Sequence, residues 1–229
     1  YQNIISGWCT RVEAHNKETL KRLVLSRENT PLITVCNHFS CFDDPGVWAL
    51  LRWRDLWNTN RMRWSLAAHD ICFNNAISNW FFSAGKCVPV IRGNGVYQQG
   101  IDFCLERLNE GSWVHVFPEG KVNMTLEHVR LKWGVGRLVY ESAVPPIVLP
   151  IYHMGMDSFL PNKEPYLPRL LKKVTVVIGD PIDFSDVLST IRAKNQDDLT
   201  ARKIITDIVQ EELARLRART ERLHQQRFL

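Results

Sequence analysis

The apolar, β-branched run 32-LITVC-36 ends on Asn37 and His38, and Asp43, Asp44 and Pro45 follow shortly after. A histidine at the end of a buried strand with an acid five positions on is the pair that base catalysis uses. The carboxylate fixes the imidazole in one tautomer and makes it the stronger base. On a helix, that spacing would turn the two side chains roughly 500° apart. Pro45 disfavours helical geometry at Asp44, so the pair is expected on the turn before a helix, where the two groups can face each other. No G-x-S-x-G elbow is present, and the expected nucleophile is the substrate's own hydroxyl. Cys41 is an alternative thiol nucleophile, with nothing to activate it beyond proximity. Against both stands the plainer reading, in which His38 and the aspartates only cap and close a turn.

Two other stretches place polar residues after apolar ones: 90-VIRG-93 supplies Arg92, and 117-FPEGK-121 supplies Glu119, Gly120 and Lys121. If their strands are parallel neighbours, His38, Arg92 and Glu119 emerge on one rim. A base, a cation for phosphate and a hydrogen-bonding carboxylate would then share a site. Arg92 as a surface ion pair and Glu119-Gly120 as an ordinary turn are the competing readings. His115 lies mid-strand and reads as structural, while His69 and His153 lack a basic or glycine-rich companion stretch. Dinucleotide-binding and phosphate-loop glycine spacings and H-E-x-x-H are absent.

The elements that must position these residues alternate. Residues 12–27 read as an amphipathic helix, 32–36 as a strand, and a helix is expected from Pro45 to about Arg52, with Asp44 as its N-cap. Strands are expected at 63–68, 86–91, 113–117, 147–152 and 174–179, with Pro89 marking an edge or a bulge. Helices are expected at 71–85, 96–111, 135–143 and 199–223. This order predicts a single α/β domain over 1–229, with a largely parallel or mixed central sheet flanked by helices. Its C-terminal helical segment spans about 198–224.

Composition narrows the partners. The 229 residues are 45% hydrophobic and 23% charged, with a net charge of +5, which favours anionic partners. No nucleic-acid motif is present. Six cysteines (Cys9, Cys36, Cys41, Cys72, Cys87, Cys104) include no C-x-x-C pair, so reduced, mostly buried thiols are expected, and neither a zinc site nor any other metal or cofactor. No secretory signal or apolar run long enough to span a bilayer is visible. The chain begins at Tyr1 rather than methionine, as expected of a piece of a longer protein. In 48-WALLRWRDLWNTNRMRW-64, Trp48, Trp53, Trp57 and Trp64 interleave with Arg52, Arg54, Arg61 and Arg63. Aromatic rings at headgroup depth beside cations over anionic lipid make a peripheral membrane contact; core packing of the tryptophans is the alternative. The stretch 79-NWFF-82 would add an apolar contact.

His38-Phe-Ser-Cys-Phe-Asp43 followed by Phe117-Pro118-Glu119-Gly120 resembles the H-x-x-x-x-D and F-P-E-G motifs of glycerolipid acyltransferases. Arg92 resembles that family's intervening arginine block and 146-PIVLP-150 its closing strand, so the likeness covers roughly residues 30–179. Where the family commonly continues F-P-E-G with Thr or Ser and then Arg, Lys121-Val122-Asn123 stands here, so Lys121 is expected to replace a phosphate-binding arginine. The stretches 113-WVHVFPEGKVN-123, 61-RMRW-64, 70-DICF-73, 85-GKCVPV-90 and 132-KWGVGRL-138 resemble the mitochondrial transacylases that remodel cardiolipin.

The resemblance implies a coenzyme A-independent exchange of acyl chains. It implies His38 as base and acid, Asp43 orienting it, Glu119 and Gly120 positioning glycerol or headgroup, and Arg92 a phosphate. The implied substrates are cardiolipin, monolysocardiolipin and phosphatidylcholine, on mitochondrial membranes facing the intermembrane space. A coenzyme A-dependent lysophospholipid acyltransferase and a non-catalytic lipid-binding protein are the alternatives.

Overall fold

The computed structural model describes residues 10–26 and 29–229. The chain enters through β1 (Thr10–His15) and α1 (Lys17–Leu25), then runs as β2 (Leu32–Cys36), buried at every residue, through the middle of the sheet. Short helices α2 (Asp43–Trp48) and α3 (Trp53–Leu56) lead to β3 (Trp64–Ala68). Next come α4 (His69–Cys72), α5 (Ala76–Ala84) and β4 (Cys87–Val90). α6 (Gln99–Asn109) returns the chain to β5 (Trp113–Val116), and α7 (Gly134–Glu141) precedes β6 (Ile147–Met154). α8 (Met156–Phe159), β7 (Lys172–Ile178), β8 (Ile182–Asp183), α9 (Ser185–Ala193) and the 29-residue α10 (Asp198–Gln226) follow.

The strand order is β1-β7-β6-β2-β5-β3-β4, with β8 beside β6. β2 pairs in parallel with β5 and β6, and β3 in parallel with β5 and β4; β7 and β8 run antiparallel to β6. The result is a single α/β domain with a mixed sheet flanked by helices. β2 is apolar throughout because parallel central strands are covered on both faces. Side-chain alternation assigns the cover. Ile33, Val35, Val114 and Val116 join a core with Leu108 of α6, Leu138 of α7 and Ile205, Val209 and Leu213 of α10. Leu32, Cys36 and Trp113 join the opposite core with Leu20 of α1 and Val47 and Trp48 of α2. β4 lies at the sheet edge, where Pro89 forfeits no ladder bond to an outer neighbour.

Three expected elements differ. Residues 12–15 are strand rather than helix, paired residue for residue with β7, and Asn16 at φ 60° breaks the chain before α1 begins. The helix expected from Pro45 starts at Asp43, and Asp44 does not cap it: its carboxylate instead takes Arg63 and the Trp48 indole N–H. The helix expected over 71–85 is two helices, because the Asn75 side chain accepts the Ser78 N–H and starts a new one. β8, α3 and α9 carry no sequence signal strong enough to have been expected.

Candidate active site

His38 stands two residues beyond the buried end of β2, on a turn that Asp43 closes upon itself. Asp43 Oδ2 accepts the backbone N–H groups of Phe39 (2.6 Å) and Ser40 (2.8 Å), and lies 2.9 Å from His38 Nδ1. The Asp43 side chain is fully buried. Burial alone would push its carboxyl up, but His153 and then His38 outweigh that and hold it at about 2. The carboxylate is therefore ionised and accepts from Nδ1 of His38, so that in the neutral ring the lone pair falls on Nε2. The imidazole is 19% exposed and stacks on Phe117, with centroids 4.1 Å apart and planes 16° apart. It is held on one side and open on the other.

The Phe117-Glu119 stretch leaves β5, the parallel neighbour of β2, so both turns share one rim. Glu119 Oε1 accepts the His38 backbone N–H at 2.9 Å, and the Asn123 N–H donates to the His38 carbonyl at 2.6 Å. Glu119 is only 8% exposed, and burial pushes its carboxyl up while the His38 N–H pulls it down. Its observed contact is with the His38 backbone. Gly120 closes the turn at φ +74°, beside the stem of Lys132. Lys121 follows, exposed. Cys41 is exposed, and its backbone N–H donates to the Asn162 side-chain oxygen.

Arg92 lies on the same rim but not at the same place. It follows β4, three strands from β2, about 14 Å away at ordinary strand spacing. Its guanidinium pairs with Asp70 on the exposed surface. The residue that sequence reasoning set aside is His153, at the end of β6 on the other side of β2. It is fully buried, with Nε2 3.2 Å from Asp43 Oδ1, off the line of a straight hydrogen bond. Only the parallel pairing of β2 with β6 brings it there, and no local motif announces it. His115 is structural: it contacts Thr34 Oγ1 at 2.8 Å, and burial pushes its imidazole down to about 3.

The Trp48–Trp64 stretch divides. Trp48 is 3% exposed and meets Trp113 edge-on at 4.7 Å, so it is core. Trp64 packs on Phe103 and is half-buried. Arg63 is 9% exposed and pairs with Asp44. Burial opposes ionisation of Asp44, but Arg63 holds its carboxyl below the usual range. Trp48 and Arg63 are corrected from membrane contacts to interior residues: Trp48 lies on the helix face turned to the sheet, and Arg63, just before β3, reaches inward to Asp44. Arg52, Arg54, Trp57 and Arg61 do face outward; the Trp53 side chain lies outside the described residues. Arg63→Gln should therefore destabilise the fold by on the order of 3 kcal/mol in urea denaturation, because it strands a largely buried carboxylate. A loss below about 0.5 kcal/mol would return Arg63 to the surface class.

Among the described residues, no helix is long and apolar enough to cross a membrane and no group of side chains is arranged to hold a metal ion. The family model described as Acyltransferase matches residues 11–154. The chain is 49% identical to tafazzin of Drosophila melanogaster, over 99% of its own length and 60% of that protein's. It is 42% identical to N-acylphosphatidylethanolamine synthase of Arabidopsis thaliana, over 80% of its length and 67% of that protein's. Tafazzin of Saccharomyces cerevisiae is 32% identical over 76% of this chain and 58% of its own length. The chain thus spans about 60% of the length of the curated relatives it matches. In fold it resembles the 1-acyl-sn-glycerophosphate acyltransferase PlsC of Thermotoga maritima, with a TM-score of 0.62 at 19% identity, over 91% of this chain and 73% of that one.

Proposed function

This chain belongs to the acyltransferase family, and from that premise we propose that it moves acyl chains directly between a phospholipid and a lysophospholipid at a membrane surface, without coenzyme A. The observation that carries the reading is the His38 ring, with Nδ1 held by an ionised, buried Asp43 and the other edge open. Nε2 takes the proton of a lysophospholipid hydroxyl as its oxygen attacks the ester carbonyl of the donor lipid. The tetrahedral intermediate collapses, the acyl–oxygen bond of the donor breaks, and Nε2 returns the proton to the departing alkoxide. Donor and acceptor are both lipid hydroxyls or their esters, so the same ring serves as base in one direction and acid in the other. Likeness to tafazzin supports cardiolipin, monolysocardiolipin and phosphatidylcholine as substrates and a mitochondrial membrane as the setting.

Glu119 acts in this reading by fixing the His38 backbone. Lys121, which follows Gly120, and Lys132, whose stem lies beside it, join Arg92 as the cations offered to a lipid phosphate, Arg92 being engaged by Asp70. The acyltransferase domain is taken to run across 1–229, with its motif core at about 30–179. Contact with the bilayer falls to the exposed Arg52, Arg54, Trp57 and Arg61. The apolar face of α4 and α5 joins them: Ile71, Ile77, Trp80 and Phe81 are between 58% and 80% exposed, and α5 buries no residue. Such side chains suit headgroup depth, and the cations add attraction to anionic lipid.

The test uses vesicles of labelled phosphatidylcholine and lyso-cardiolipin, with no coenzyme A present. Label is expected in the cardiolipin fraction. Transfer that appears only with acyl-coenzyme A and releases free thiol would establish the coenzyme A-dependent reading. Label on the amine of added phosphatidylethanolamine would establish N-acylation, the reaction named by the Arabidopsis relative. Binding with no exchange of any kind would leave a lipid-binding protein. Sedimentation of the same vesicles should weaken with salt without vanishing, because salt screens the cations but not inserted apolar groups.

A further inference from the structure

His153 is an expensive residue for the position it holds. It is fully buried, and neither ring nitrogen has an aligned hydrogen-bond partner. A buried polar group left without an aligned partner is costly, and an apolar side chain of similar size would avoid that cost. Its position is also fixed twice over by one neighbour. The Asn37 amide donates to the His153 carbonyl at 3.0 Å and accepts the His153 backbone N–H at 2.9 Å. Phe39 meets the ring edge-on at 5.9 Å. Asn37 and Phe39 flank His38 in sequence, so the residues on both sides of the base also locate His153. The ring so placed lies against Oδ1 of Asp43, the oxygen that His38 and the turn leave unused.

We propose that His153 is a positioning residue for acyl transfer: by contacting Asp43 Oδ1 it shares the carboxylate with His38 and thereby sets how strongly His38 holds a proton. This rests on His38 being the base. The Nε2 edge of His153, 3.2 Å from Oδ1 though off the line of a hydrogen bond, draws negative charge toward that oxygen and leaves less of it to stabilise the His38 imidazolium. The depressed carboxyl of Asp43 agrees with such sharing, His153 being the foremost of the neighbours that lower it. Other ionisable groups around the pair are Cys36 on β2, Cys41 on the turn, Asp44 on α2, His115 on β5, Glu119 after β5 and Tyr152 on β6. None of them changes in the test.

Removing the His153 contact should leave Asp43 with more charge for His38 and so make His38 harder to deprotonate. In His153→Leu, the acid limb of the kcat/KM profile for acyl transfer should move to higher pH by on the order of one unit. His153→Gln, which retains an N–H donor, should keep the limb near its wild-type position. A folded His153→Leu protein that loses rate with an unmoved limb, or a Gln variant that behaves like Leu, overturns the proposal in favour of packing alone. If neither variant folds, 15N NMR of histidine-labelled wild-type protein in lipid nanodiscs decides, with His153 expected to carry a proton on Nε2 and a bare Nε2 overturning the idea. Wild-type protein without any acyl transfer would instead sink the functional reading on which this one rests.

Discussion

His38→Ala is expected to fold like the wild type and to lose about 100- to 10,000-fold in acyl transfer, the usual contribution of a positioned general base. The size of the loss follows from the geometry. The ring is partly open to solvent and its stabilising contacts are few: the stack on Phe117 and the bond to Asp43. Its backbone N–H remains on Glu119 and its carbonyl on Asn123 after truncation, so the turn keeps its anchors. Loss of the stack should cost about 1 kcal/mol, little beside the stability of a domain. What disappears is the imidazole nitrogen that the turn leaves facing outward beside an ionised acid. Transfer rates measured under saturating lipid, with thermal melting as the control, separate the two effects. Turnover within a few-fold of wild type would remove His38 from the mechanism.

Asp43→Asn should lose both activity and stability, and the two losses should part company with pH. An amide at this position cannot stabilise an imidazolium, and its NH2 turns at least one neighbour from donor to acceptor. In serine proteases, replacing the triad aspartate by asparagine leaves the histidine in the wrong tautomer and costs about 10⁴-fold, and a loss of that order is expected here. The folded carboxyl titrates at about 2 against an ordinary 3.8. That difference corresponds to about 2 kcal/mol of stability. Because the folded value is the lower one, the stabilisation is complete only well above pH 3.8 and is lost as pH falls through 2. Urea denaturation at pH 7 should therefore show the variant weaker by about 2 kcal/mol, and the gap should narrow at about pH 2.5. A gap that stays constant into acid would mean that the carboxylate's charge does not stabilise the fold.

Much of this architecture can be read locally. A strand buried on both faces leaves an unbroken apolar run at 32–36, and Pro89 marks the edge because only an edge strand tolerates its missing donor. The neighbouring turns of His38 and Glu119 follow from alternating strands and helices once the strands are known to be parallel. What escaped was information held between distant segments. His153 meets Asp43 only through the pairing of β6 with β2, and an isolated histidine on an apolar strand resembles any other. Trp48 and Arg63 looked interfacial because composition counts aromatics and cations without saying which way each one points. One oxygen of Glu119 holds the His38 backbone N–H, a contact across 81 positions that no local motif announces. β1 was absorbed into the following helix because its inward residues are few, and its partner strand lies more than 150 positions away.

The turn that carries His38 is closed locally by Asp43, but distant segments fix where it stands. His38 is tied to Glu119 across 81 positions, Asn37 to His153 across 116 and Ser40 to Leu160 across 120. Each tie closes a long loop, and that entropy is recovered only once the central strands have paired. During folding, the site cannot mature ahead of the sheet, so early compact states have the motif residues without their geometry. The same dependence makes the site vulnerable at a distance: a substitution in β5 or β6 that weakens strand pairing withdraws an anchor from a histidine it never touches.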